Sequence, residues 1–191
     1  MPSQFVDDIL EQFGDTAMIN QEDKIDVIPT QCLSLDVSIG VGGIPRGKIT
    51  EIFGSEGGGK TTLAIQIIRE TLKLGLKALY IDAEHMLDYG LLKDMVGEDF
   101  DEENLVILNP DTAEDAFTML EKGINSHEFA AIILDSIGAL APKVEKADEF
   151  DKANVGLLSR MLTKFLRRNV YAIKESNSAV ILLNQVRDKI G

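Results

Sequence analysis

A chain of 191 residues, 45% hydrophobic and 27% charged, has room for one ordinary domain with a real core, and it nowhere approaches the roughly 18 consecutive apolar residues of a membrane span. The acidic start, Met1 to Gly14, lacks a secretory signal pattern, and a lone Cys32 excludes an intramolecular disulfide; both point to the cytoplasm. A net charge of −13 argues against a general nucleic-acid binder, with one local exception: from Lys152 to Lys174 there are six basic residues (Lys152, Arg160, Lys164, Arg167, Arg168, Lys174) and no acidic one.

In chain order, Phe5, Ile9 and Phe13 lie four apart and predict a short amphipathic helix over residues 4–13. A loop-like stretch follows to about Pro29, and the turn-rich segment from Gly40 to Gly47 delivers the chain into a strand. Short apolar runs at 48–53, 77–82, 105–109, 130–135 and 179–184 read as strands buried on both faces. Helices lie between them; over residues 112–126, Ala113, Ala116, Phe117, Leu120 and Ile124 share one helical face. This alternation predicts an α/β fold, a mostly parallel twisted sheet with helices on both faces and ligands at the carboxyl ends of the strands. Residues 1–30 read as a short N-terminal helix and linker, and 31–191 as the core.

Four strand ends carry chemistry. Gly54-Ser55-Glu56-Gly57-Gly58-Gly59-Lys60-Thr61 fits G-x-x-x-x-G-K-[ST] in full. Glycines let backbone N–H groups turn inward around phosphate oxygens, Lys60 supplies a charge for the β- and γ-phosphates, and Thr61 offers a hydroxyl to Mg²⁺. The helix that starts at Thr61 adds its positive end, with Thr62 completing the ATP-contacting run. Next, Ile132-Ile133-Leu134-Asp135-Ser136 is an apolar strand ending in a carboxylate, suited to holding Mg²⁺ through water. In Tyr80-Ile81-Asp82-Ala83-Glu84-His85, Asp82 and Glu84 lie two apart, so a strand would point both to one side, where one could orient the water that attacks ATP. Last, Asn184-Gln185 places amides where a γ-phosphate oxygen could be sensed. His85 and His127 have no metal-ligand spacing and read as structural or surface residues.

These pieces, in this order, resemble the bacterial and phage RecA recombinase family. So does the lead-in from Leu33-Ser34-Leu35-Asp36 through Gly42-Gly43-Ile44-Pro45-Arg46-Gly47, and so do Ile81-Asp82-Ala83-Glu84-His85 and Asn184-Gln185-Val186-Arg187. The resemblance runs from about Phe13 to Gly191 and implies a RecA-like P-loop NTPase truncated at its C-terminus. It implies that Glu84 is the catalytic carboxylate, acting with Lys60 and Gln185. It further implies that Asp88 meets the adenine edge and that Gln185 couples γ-phosphate to DNA binding. A mobile DNA-binding loop would run from Lys143 to Val155, with Lys152 in it, and Arg160, Lys164 and Arg167 would approach DNA phosphates from the helix that follows. On that helix Leu158, Met161, Leu162 and Phe165 share one face, opposite Arg160, Lys164, Arg167 and Arg168. The family stacks an aromatic on adenine three residues after the position of Asp88; here that residue is Leu91, with Tyr89 nearby.

The family's sheet would order the five strands 3-2-4-5-1 along the chain, the P-loop strand last. The expected function is an ATP- and Mg²⁺-dependent DNA recombinase and repair enzyme, or the N-terminal piece of one. Its partners would be single- and double-stranded DNA, other copies in a helical filament, and a separate chain supplying the C-terminal half; no membrane is involved. Two alternatives stay open: a non-catalytic nucleotide-binding fragment that needs a partner chain, and another RecA-superfamily motor such as a hexameric helicase.

Overall fold

The computed structural model describes residues 4–13, 24–97, 102–144 and 156–185. Helix α1 is Gln4–Phe13. A two-residue strand, β1 (Val27–Ile28), then pairs antiparallel with β2 (Ile44–Pro45), so the stretch read as loop up to Pro29 contains a strand. Between them lies helix α2, Leu33–Ile39, closed by Gly40 in the left-handed region (φ 87). Asp36 holds this lead-in together, accepting from the backbone N–H and the hydroxyl of Thr30 (3.0 and 2.7 Å).

The core alternates as expected. Strand β3 (Lys48–Gly54) leads into α3 (Lys60–Lys73), β4 (Lys77–Asp82) into α4 (Tyr89–Val96), and β5 (Leu105–Leu108) into α5 (Ala113–Ser126). Strand β6 (Phe129–Asp135), helix α6 (Leu157–Ser176) and β7 (Ala179–Gln185) complete it. Helix α3 begins at Lys60, one residue before the expected start. Thr112 caps α5, accepting from Asp115 N–H at 3.2 Å and donating to the Asp115 carboxylate at 2.6 Å.

The five long strands are parallel, in the order β3-β7-β6-β4-β5. This is the order 3-2-4-5-1 read from its other end. Alternate residues divide the core into two layers. Leu79, Ile81, Ile132, Leu134, Val180 and Leu182 pack against α5 and α6, where the Phe117 and Phe165 rings stack at 5.3 Å. Ala78, Tyr80, Ala131, Ile133, Ile181 and Leu183 pack against α3 and α4. The same alternation puts Asp82, Asp135 and Gln185 on the α3 side at the strands' carboxyl ends. Strand β3 departs from the expectation of burial on both faces: Lys48 and Glu51 are exposed and Phe53 is 68% exposed, because β3 has a neighbour on one side only among the described residues.

Candidate functional site

The loop between β3 and α3 has the conformation that its glycines permit. Gly57 and Gly59 have φ of 69 and 81, where a side chain would be strained. A Cβ on Gly58 would stand 3.0 Å from the Ser55 carbonyl oxygen. Lys60 curls back over the loop, its Nζ donating to the carbonyls of Gly54 (3.2 Å) and Ser55 (2.7 Å). The ammonium therefore sits where an anionic group in the loop would draw it inward.

The loop opens on a cavity of about 340 Å³. Its wall is made by Glu56 to Thr62, Glu84, Met86, Asp88, Leu91, Asp135 and Gln185. The sequence-derived residues therefore converge, while Gly54 and Ser55 serve it through the carbonyls that hold Lys60. Thr61 Oγ1 donates to Asp135 Oδ2 at 2.6 Å. That donation leaves the hydroxyl lone pairs unspent, so one oxygen can contact a cation while its proton stays on Asp135. Among the described residues no group of three or more His, Cys, Asp or Glu could hold a metal. One hydroxyl and one carboxylate suit Mg²⁺, which takes few protein ligands and completes its shell with phosphate oxygens and water.

Burial pushes the Asp135 carboxyl above its ordinary value, and the charges of Glu84 and Asp82 add to that; the hydroxyls of Thr61 and Tyr80 pull it partly back. Burial, followed by the charge of Asp135, drives the Tyr80 phenol far up, so it is a neutral donor.

Glu84 is hydrogen-bonded to the residue that follows Asp135. Its Oε1 accepts from Ser136 Oγ at 2.5 Å and from Gln185 Nε2 at 3.0 Å. The expectation that a strand points Asp82 and Glu84 the same way needs correction. Strand β4 ends at Asp82, whose carboxylate accepts from the backbone N–H groups of Met86 (3.4 Å) and Leu87 (3.0 Å). Asp82 ties down the turn that carries Glu84, and only Glu84 reaches the cavity. Asp88 caps α4, its Oδ1 accepting from Gly90 and Leu91 N–H at 2.8 and 3.1 Å. Beside it, Met86 and Leu91 form an apolar flank of the cavity, and Tyr89 is 57% exposed outside its lining. His85, read as structural or surface, is exposed, and its Nε2 lies 3.1 Å from the Pro110 carbonyl.

Helix α6 carries the basic residues on one face. Arg160, Lys164, Arg167 and Arg168 line an open groove of about 560 Å³ with Ser159 and Thr163. Phe165 is buried, and Leu158, Met161 and Leu162 pack against the same core on the opposite face. Arg168 is paired with Glu121 at 3.2 Å. Lys152, and residues 145–155 of the expected DNA-binding loop, lie outside the described residues, as do Val186, Arg187 and Gly191.

Comparison with known proteins fits this arrangement. The profile of the RecA N-terminal domain family matches residues 3–191. The chain belongs to the RecA family. It is 46% identical over 168 residues to Protein RecA of Aquifex aeolicus, covering 88% of this chain and 48% of that protein. It is 43% identical over 187 residues to Protein RecA of Thermus aquaticus, covering 96% of this chain and 54% of that protein. The chain spans about half the length of the curated relatives it matches.

Reading the RecA-type motifs alone missed three residues of the site: Ser136, which donates to Glu84; Met86, on the apolar flank; and Tyr80, under Asp135. For Tyr80 a signal existed, since it shares the parity of Asp82 within its strand and points to the same layer. No helix among the described residues is long and apolar enough to cross a membrane.

Proposed function

We propose that this RecA-family chain is the ATP-binding part of a DNA-dependent ATPase that pairs and exchanges DNA strands. The observation that carries the reading is one connected polar path around one cavity. It runs from Thr61 through Asp135 to the adjoining Ser136, then to Glu84 and Gln185. In this reading the backbone N–H groups of 55–60 and the Lys60 ammonium hold the β- and γ-phosphates. Thr61 and Asp135 would hold magnesium, which would supply positive charge for the phosphate oxygens. Glu84 orients the attacking water and takes its proton, as a positioned carboxylate can. Gln185 exchanges its bond to Glu84 for one to a γ-phosphate oxygen, so the end of β7 registers the state of the nucleotide. The adenine lies along Met86 and Leu91, with Asp88 at its polar edge.

The α6 groove takes the DNA backbone through Arg160, Lys164 and Arg167, with Lys152 as a further contact, a charge-driven binding without base readout. Filament assembly with other copies, a second chain supplying the C-terminal half, the division into 1–30 and 31–191, and residence in the cytoplasm belong to the same proposal.

Calorimetry with Mg·ATP on the parent and on K60A tests the nucleotide site. Two charge-assisted hydrogen bonds at about 1.5–3 kcal/mol each predict a loss of at least roughly a hundredfold. Equal affinity in the two proteins would remove the assignment.

A further inference from the structure

Among the described residues Tyr80 is the largest fully buried side chain, 1% exposed in the middle of β4. Its ring lies in the layer that packs against α3, in the same core cluster as Ala64, Ile65 and Ile133. Nothing about that packing requires a hydroxyl; phenylalanine would fill the same space. The hydroxyl nevertheless has one specific partner, donating to Asp135 Oδ2 at 2.7 Å. The same oxygen receives the Thr61 hydroxyl at 2.6 Å. Two donors from two different elements thus converge on one carboxylate oxygen. A carboxylate at the end of a strand turns about two bonds, and a single donor leaves it free to swivel. Two donors on one oxygen fix the plane of the group and direct Oδ1, which takes neither proton, away from both. Register explains why this is possible: Tyr80 pairs with Ile133 and Asp82 with Asp135, so the tyrosine ring lies one pleat below the carboxylate on the same face of neighbouring strands.

We propose that Tyr80 is a positioning residue for the cation site, its hydroxyl orienting the Asp135 carboxylate toward the metal that accompanies the nucleotide. The role rests on the assignment of Asp135 to that metal. Of the two donors, Thr61 lines the cavity and is itself a contact of the cation in this reading. Tyr80 lies in the core and holds the same carboxylate whether the site is empty or filled. Outer-shell partners of this kind carry about ten- to hundredfold in metal affinity.

The test uses the 191-residue chain and a non-hydrolysable ATP analogue. Its affinity is titrated calorimetrically against Mg²⁺, and again in EDTA, for the parent, Y80F and D135N. The expected result for Y80F is a rise of about tenfold or more in the Mg²⁺ concentration needed for half of the metal-dependent gain. Its metal-free affinity should stay within about twofold of the parent, which a merely structural loss of packing would not spare. If D135N abolishes the Mg²⁺ dependence and Y80F leaves it unchanged, the role of Tyr80 is overturned while the metal assignment stands. If D135N leaves the dependence intact, both fall.

A second measurement does not depend on Y80F folding. The chain has three tyrosines, and Tyr89 and Tyr171 are 57% and 67% exposed. In the 3-fluorotyrosine-labelled parent, the one buried fluorine resonance should shift on adding Mg²⁺ to the analogue complex and stay put on adding the analogue in EDTA. A resonance indifferent to Mg²⁺ counts against the proposal.

Discussion

Asp135→Asn should make the ligand-free chain more stable while destroying its metal-dependent nucleotide binding. The amide has the shape of the carboxyl, and its oxygen can still accept from Thr61 and Tyr80. What it lacks is a charge, at a position 4% exposed and close to the carboxylates of Asp82 and Glu84. Burying a carboxylate costs several kcal/mol. Turning two charge-assisted hydrogen bonds into neutral ones gives back about 1 kcal/mol each. The balance favours the variant by about 1–2 kcal/mol at neutral pH, or roughly 2–8 °C in Tm for a chain of this size. The sign also follows from titration. The folded Asp135 carboxyl binds its proton more tightly than the unfolded one, whose pKa is about 3.9. The parent therefore loses stability as pH rises from that value through the folded one, and the loss is complete above it. The amide of the D135N variant does not titrate, so the variant's advantage should be absent in acid and grow to a plateau toward neutrality. Urea denaturation of both proteins across that range is the assay. A difference that does not change with pH, or a variant less stable than the parent at pH 7, would refute the reasoning.

Glu84→Gln should keep ATP affinity and lower the single-turnover hydrolysis rate about 10²–10⁴-fold in a preparation that turns over ATP; a rate within about threefold of the parent would take Glu84 out of the reaction. Arg160→Ala or Arg167→Ala should weaken binding to single-stranded DNA of every sequence alike, and the slope of log affinity against log salt should fall by roughly 0.7 per lost contact. Selective loss for one sequence would point to base readout instead. Gly123→Ala adds a Cβ that would stand 2.5 Å from Leu79 Cδ2, at a side chain only 2% exposed. Overpacking at about 1–3 kcal/mol outweighs the roughly 1 kcal/mol gained in helix propensity, so a lower urea midpoint is expected and a higher one would contradict the close packing of α5 on β4.

The parallel core was legible because each of its strands is a short apolar run bounded by a helix with one apolar face. The order of the sheet came from the family resemblance, not from periodicity. Helix α2 was illegible for a physical reason: it has no buried residue, and Leu33 and Val37 are 79% and 68% exposed, so no buried face writes a period into its sequence. Strands β1 and β2 are two residues each, too short to show alternation. At the site, the motif residues were readable because each stands at a strand end next to a glycine-rich or apolar run. Asp82 looked equivalent to Glu84 because both are acidic and two apart. The end of β4 separates them, and that boundary depends on the backbone bonds of the turn, not on the side chains that spell it.

The two ends of the sheet are held by different kinds of bond. At the amino end, Ser178 Oγ donates to the Phe129 carbonyl at 2.6 Å, and Gly47 N–H donates to the Ser178 carbonyl at 2.9 Å. Arg46 Nε donates to the Asn177 carbonyl at 2.8 Å, and Asn177 Nδ2 to Asp26 at 2.8 Å. These contacts stitch the starts of β3, β6 and β7 together without any group that a nucleotide would claim. At the carboxyl end, the bonds of Lys60 and Gln185 are ones that, in the proposed function, an arriving phosphate would compete for. A pull on Gln185 therefore acts on a lever pinned at Ser178. Displacement should be negligible at the pinned end and largest at the tip, and amide hydrogen exchange along β7 should respond to nucleotide in that graded order.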